Sequence, residues 1–293
     1  MTLAPILAAA LAVTASAADS PLEAIRKDRE DTMKWLKSDP SSYLAAVKRV
    51  SFGDKIRLTV GSAADNDIAL AGLKAHHLSL AVAGAAFHAE AADPGADFTL
   101  GKSTKAVRSA DTGPAKIGLG ARYNLRLSHQ GYPAVIVFDA KSPRFKEFKG
   151  IDYFKPDLTY RFKVALIADQ KAETLAIQSS GSGDRKALRV GWFDLAIGSV
   201  PVRLAAHRLL EPGAGPDDLS VFFRDLTTGK QSYAVGRYVE PVKQADGSYI
   251  LDFNMAYNPA CAFSPFYNCP IPPKENHLKV AILAGEKNSH YSH

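Results

Sequence analysis

The sequence predicts a mainly β protein, two packed antiparallel β units of which the first is a sandwich, preceded by one N-terminal α-helix. Three observations carry this. Apolar and polar residues alternate over short stretches, as in Tyr123, Leu125 and Leu127 against Arg122, Asn124 and Arg126, which gives a strand one buried and one wet face. Gly, Pro, Asp and Asn punctuate these stretches, with no βαβ rhythm, fixed-period repeat or low-complexity segment. With 293 residues and 46% hydrophobic content, the chain is long enough for one large or two medium domains.

Residues 1–17 read as an export signal. Leu3 to Thr14 are almost all Leu, Ala, Ile and Val, and Ala15-Ser16-Ala17 supplies the small residues a signal peptidase accepts. Cleavage after Ala17 would leave a periplasmic or secreted protein. The apolar run is shorter than the roughly 20 residues a spanning helix needs, and no later stretch is long enough, so no transmembrane segment is expected.

Residues 18–49 form the helical segment. Ser20-Pro21-Leu22-Glu23 is a helix start: the Ser20 hydroxyl can accept from the N–H three residues on, and Pro21 at the first position loses nothing by lacking an N–H. Leu22, Ile25, Met33 and Leu36 recur near a period of 3.6, so the helix runs to about Lys37 with one apolar stripe. The face from Arg26 to Asp31 carries both signs of charge and reads as solvated. Ser38-Asp39-Pro40 ends the helix, and a short helical turn is expected within Ser41 to Arg49.

The first β unit spans 50–145. Its segment Gly61-Ser62-Ala63-Ala64-Asp65-Asn66-Asp67-Ile68-Ala69-Leu70 resembles the opening of forkhead-associated phosphopeptide-binding domains. Ser62 stands where those domains place a phosphate-gripping Arg, and Lys74-Ala75-His76-His77 replaces their Ser-Arg-x-x-His. The resemblance therefore implies the shape rather than the activity, since bidentate phosphate capture needs the Arg fork. On a strand, His76 and His77 would point to opposite faces, which argues against a shared metal.

The second β unit spans 146–293, with the boundary between Asp139 and Ile151 where Lys141-Ser142-Pro143-Arg144 interrupts the pattern. Leu158, Tyr160, Phe162, Val164 and Leu166 alternate with polar residues, as do Tyr249, Leu251 and Phe253 with Asp252 and Asn254. Turn signals at Thr228-Gly229-Lys230 and Asp246-Gly247 bracket a strand from Gln231 to Val239. A formal charge of +6 is spread along the chain without a basic run, so no nucleic-acid partner is expected.

The densest stretch is Leu251 to Lys287, which holds both cysteines. Cys261 and Cys269 lie eight positions apart across a turn-rich loop, so an exported protein would join them as a disulfide. A zinc site would need further ligands such as Glu275 and His277, and the spacing is not that of a ribbon or knuckle; neither metal nor cofactor is expected. Phe223-Arg224-Asp225-Leu226-Thr227-Thr228-Gly229-Lys230, Gly236-Arg237-Tyr238, Leu251-Asp252-Phe253-Asn254, Ala256-Tyr257-Asn258-Pro259, Glu275-Asn276 and Ala284-Gly285-Glu286-Lys287 together resemble the family catalogued as domain of unknown function 1684. That resemblance implies no activity.

Two readings of the polar residues stand open. In one, Asp225 or Asp252 accepts from Arg237 and from loop N–H groups, while Asn254 and Asn258 satisfy backbone in Asx-type turns. In the other, Arg224, Asp225, Arg237, Asp252, Asn254, Tyr257, Asn258, Glu275, Asn276 and Glu286 surround a ligand cleft in which Asp252, Glu275 and Glu286 offer carboxylates. No phosphate loop, nucleophile elbow, zinc helix or dinucleotide fingerprint is present. The expectation is an exported or envelope-associated binding protein whose loop from Asp252 to Asn276 meets a small ligand, glycan or envelope protein. The alternative is a hydrolase using Asp252, Glu275 and Glu286.

Overall fold

A computed structural model of the protein describes residues 20–129, 132–181, 183–211 and 214–289. The expected signal segment lies outside the described residues. Helix α1 (Pro21–Ser38) begins as its sequence dictates: the Ser20 hydroxyl accepts from Glu23 N–H at 3.3 Å, and Asp39 N–H closes the far end on Trp35 O. One expectation about α1 is corrected. Arg29, at i+4 from Ile25 and i−4 from Met33, falls on the inward stripe and is half-buried, whereas Leu22 at the helix start is 48% exposed.

The first unit is a sandwich of two five-stranded sheets. One has the order Ala46–Ser51, Ala134–Asp139, Tyr123–Ser128, Lys116–Leu119, Thr99–Leu100; the other Ile68–Ala69, Arg57–Gly61, Leu78–Ala83, Ala86–Ala91, Ser109–Thr112. All pairings are antiparallel except that of Arg57–Gly61 with Ile68–Ala69. Leu58, Val60, Leu80 and Phe87 from one sheet meet Ile117, Leu125, Leu127 and Val137 from the other, which is the burial that period-2 alternation encodes. His76 lies near Asp65 Oδ2 at 3.8 Å, while His77 Nε2 faces Asp97 O at 3.0 Å, so their partners are separate.

In the second unit a three-stranded antiparallel sheet, Ile167–Ile177, Arg185–Ile197 and Val200–Leu209, packs with shorter pairs around Phe193, Leu204, Val221, Phe223, Leu251 and Phe253. Several strand expectations are shortened. Leu158–Tyr160 is a 3-10 turn capped by Asp157, and only Arg161–Val164 is strand. Gln231 to Gly236 is turn, leaving Arg237–Val239 as strand, because Gly236 sits at φ +126° with Phe223 O and a Pro272 ring carbon where a side chain would go. Strand Tyr249–Asp252 stops where the Asp252 carboxylate accepts from Asn254 N–H and turns Phe253–Met255 into a 3-10 turn.

The cysteine loop is the seam of the molecule. Cys261, Tyr267 and Cys269 pack on Ala45, Ala46, Ile136 and Phe138 of the first unit, and Ala262 and Phe263 pack on Leu36, Leu44 and Ile151. Within the loop Ser264 is fully covered and Asn268 nearly so, while Pro265 is exposed. Among the described residues no helix is long and apolar enough to cross a membrane.

Candidate functional site

The conspicuous polar residues fall into three groups. The first is buried and mutually satisfied. Arg237 is fully buried beside Asp225 at 3.4 Å and donates to the carbonyls of Ala284, Glu286 at 3.1 Å and Ile282 at 2.9 Å. Asp225 accepts from Thr227, Thr228 and Ile282 N–H, so it holds both the Thr227 turn and the chain near Ile282. Asn276 accepts from Ala205 N–H at 2.8 Å and donates to Ala205 O and Phe222 O, stitching two strands to the loop. These contacts are bracing, and Arg237 pairs with Asp225 rather than Asp252.

The second group lies outside both that network and the cleft described below. Glu275 is exposed, and half-buried Arg224 donates to Ala234 O at 3.1 Å. His277 Nε2 faces Pro272 O at 3.1 Å. Among the described residues, no three His, Cys, Asp or Glu side chains cluster closely enough to hold a metal ion.

The third group meets in a cleft of about 330 Å³ between α1 and the turn that follows strand Tyr249–Asp252. That volume is in the range of ligand clefts, roughly 300–1,000 Å³. Asp252, Asn254, Tyr257, Asn258 and Glu286 line one side; Asp28, Thr32 and Trp35 of α1, with Tyr43, Tyr153, Glu240 and Phe263, line the rest. Gly285 makes the floor possible. At φ +80° it lies where a Cβ would stand 2.5 Å from Ala256 O, which lets the turn close onto Glu286.

Within the cleft, satisfaction is uneven. Asp252 is held by Arg161 at 3.3 Å and by Asn254, whose amide also bridges Asp157 N–H and O. Tyr257 O–H donates to Glu240 at the mouth. Glu286 accepts from Asn258 N–H at 2.7 Å, and Asn258 Nδ2 donates to Lys287 O. Asn258 Oδ1 and the Tyr153 hydroxyl, both buried, meet no hydrogen-bond partner among the described residues.

The electrostatics follow from that geometry. Burial pushes the Glu286 carboxyl up to about 8; the Asn258 N–H opposes this, Asp28 adds to it, and Arg237 and Arg29 oppose it. It is therefore a neutral acid at pH 7. Burial likewise raises the Tyr153 hydroxyl, and desolvation raises Asp28. Arg29 stacks on the Tyr153 ring at 4.5 Å, donates to Phe154 O, and is pulled down by burial.

Cys261 and Cys269 lie buried side by side with no bond between their sulfurs in this structure. Cys261 N–H donates to Cys269 Sγ at 3.2 Å, and the hydrogen bond between the two thiols lowers Cys261 and, with burial, raises Cys269. The loop supplies the proximity; bond formation is a separate matter of redox environment.

The residues missed by sequence reasoning are the α1 wall and Tyr153. Asp28, Thr32 and Trp35 recur at i, i+4 and i+7, a helical face that was legible, but a mixed polar and aromatic face reads as solvent-facing unless its partner is known.

A search of the curated proteins finds no match. A solved structure, the solution NMR structure of an uncharacterised protein of Haloarcula marismortui, is 36% identical over 48% of this chain and 78% of its own, with a TM-score of 0.40. The forkhead-associated likeness of residues 61–70 finds no confirmation. Residues 146–287 match the model described as "Protein of unknown function (DUF1684)", and the chain belongs to that family.

Proposed function

We propose that the protein is an exported, non-catalytic binding protein that holds a small ligand in the cleft between α1 and the Asp252–Asn258 turn. The observation that carries this is the cleft itself: a space with five aromatic side chains in its wall, where two buried polar groups of lining residues, Asn258 Oδ1 and the Tyr153 hydroxyl, meet no hydrogen-bond partner among the described residues. The export reading rests on residues 3–17, and in an oxidising compartment the adjacent Cys261 and Cys269 would pair and fix the seam.

The test of the cleft is ligand-observed NMR of a fragment mixture against wild type and Thr32→Trp, which fills the space from a half-buried helix position outside the bracing network. Fragments bound by wild type and released by the variant support the reading. Fragments that bind both alike, or none at all, overturn it. Mass spectrometry of the exported protein checks the rest: a mature chain starting at Ala18 and no alkylated thiol without reductant are expected, and recovery of two alkylated thiols defeats the disulfide.

A hydrolytic use of the same cleft is the second reading, favoured because Asp252 and Glu286 line it together and Glu286 is protonated at neutral pH, as a general acid must be. Glu275 has no part in it, being exposed and outside the lining. Turnover of chromogenic esters or glycosides that is lost in Glu286→Gln would favour this reading; none is expected.

A further inference from the structure

From the chemistry of its wall we infer that the cleft takes an organic cation, an ammonium group carried on an apolar body. The inference rests on the binding reading above and adds the ligand class. Its first support is composition: the lining holds the carboxyl groups of Asp28, Glu240, Asp252 and Glu286 and contains no Lys, Arg or His. A second, independent observation is the orphan acceptor. Asn258 is 1% exposed, its Nδ2 is spent on Lys287 O, and its Oδ1 has only lone pairs to offer, so what completes it must be a donor. A third is the aromatic surround of Trp35, Tyr43 and Tyr153, which covers an apolar body and of which Tyr153 already carries the Arg29 guanidinium over its ring.

The cations nearby stand outside the lining, although the charge of Arg29 bears on Asp28, Asp252 and Glu286. Arg161 is engaged with Asp252, and Arg237 is enclosed behind Glu286 by Asp225 and backbone carbonyls. Arg29 lies over the Tyr153 ring and bonds Phe154 O, outside the lining. Glu286 therefore keeps its proton on its own, facing Asp28 and Arg29 on α1, Tyr153 on the paired strand Ile151–Tyr153, and Arg237. An ammonium group placed beside Asn258 Oδ1 favours the ionised carboxylate, so binding releases a proton. Affinity then rises with pH up to about 8, where Glu286 ionises unaided.

The test uses three probes of one shape, 2-phenylethylammonium, 2-phenylethanol and phenylacetate, titrated calorimetrically into wild type, Thr32→Trp and Glu286→Gln from mildly acidic to mildly alkaline pH. Expected is binding of the ammonium at least about tenfold tighter than the alcohol, no binding of phenylacetate, and loss of the ammonium in Thr32→Trp. In Glu286→Gln, which keeps an acceptor for Asn258 N–H, the ammonium binds more weakly and without pH dependence. If the alcohol or phenylacetate binds as tightly as the ammonium, and Thr32→Trp still blocks it, the cation class is overturned while the cleft stands. If none of the three binds wild type at millimolar concentration, the class and the binding reading fall together.

Discussion

Asn276 and Asn258 sit on the same stretch of chain, are equally hidden from solvent, and live by opposite accounts. Asn276 accepts one N–H and donates to two carbonyls, so its side chain is fully used in joining Ala205 and Phe222 to the loop. Asn258, a lining residue of the cleft, donates once and its acceptor meets no hydrogen-bond partner among the described residues. Burial alone thus does not separate bracing from site; the completeness of hydrogen bonding does.

That contrast ranks the expected effects. The largest belongs to Arg237→Ala, which strands the buried Asp225 carboxylate and frees three carbonyls: a loss of about 3 to 5 kcal/mol by urea denaturation. Asn276→Ala follows at about 3 kcal/mol, since an N–H and two carbonyls lose their partner. Either variant melting like wild type would break the bracing half of the comparison.

Next comes pH. Glu286 is raised by burial to about 8 in the fold from an ordinary 4.5, so its contribution to stability is complete below 4.5 and is lost as pH rises through 8. His207 works the other way. Buried against Phe222, with neither ring nitrogen meeting a hydrogen-bond partner among the described residues, it is lowered by burial from 6.5 to about 4, so its contribution is present above 6.5 and is lost as pH falls through 4. The Glu286 loss spans pH 4.5 to 8 and the His207 loss pH 6.5 down to 4, so melting midpoints should fall between pH 6.5 and 8 and Glu286→Gln should flatten that fall. A fall between pH 6.5 and 8 unchanged in Glu286→Gln would remove Glu286 as its cause. The smallest effect belongs to Glu275→Ala, within about 0.5 kcal/mol, because that carboxylate is exposed.

The fold was legible wherever local chemistry decides. Ser20-Pro21 places the helix start, and alternation from Tyr123 to Leu127 gives a strand with its inward face. It was less legible where a side chain competes with the ladder. Asp252 ends its strand by capping Asn254, so alternation that continues to Phe253 misleads. The site was half legible. Asp252, Asn254, Tyr257, Asn258 and Glu286 lie close in sequence and stand out by type, whereas Asp28, Thr32 and Trp35 join them across more than 200 positions of chain, a distance no periodicity spans. Arg29 shows why the helix misled: its long stem lets a charged residue occupy an apolar stripe.

The most direct test sets the two asparagines side by side, measuring urea stability and 2-phenylethylammonium binding for Asn276→Ala and Asn258→Ala. The account predicts that Asn276→Ala loses about 3 kcal/mol and, while folded, binds as wild type does. Asn258→Ala should lose about 1 kcal/mol, for its single bond to Lys287 O, and lose the ligand. Asn258→Ala as unstable as Asn276→Ala, with binding intact in whatever remains folded, would contradict the account and make both residues bracing.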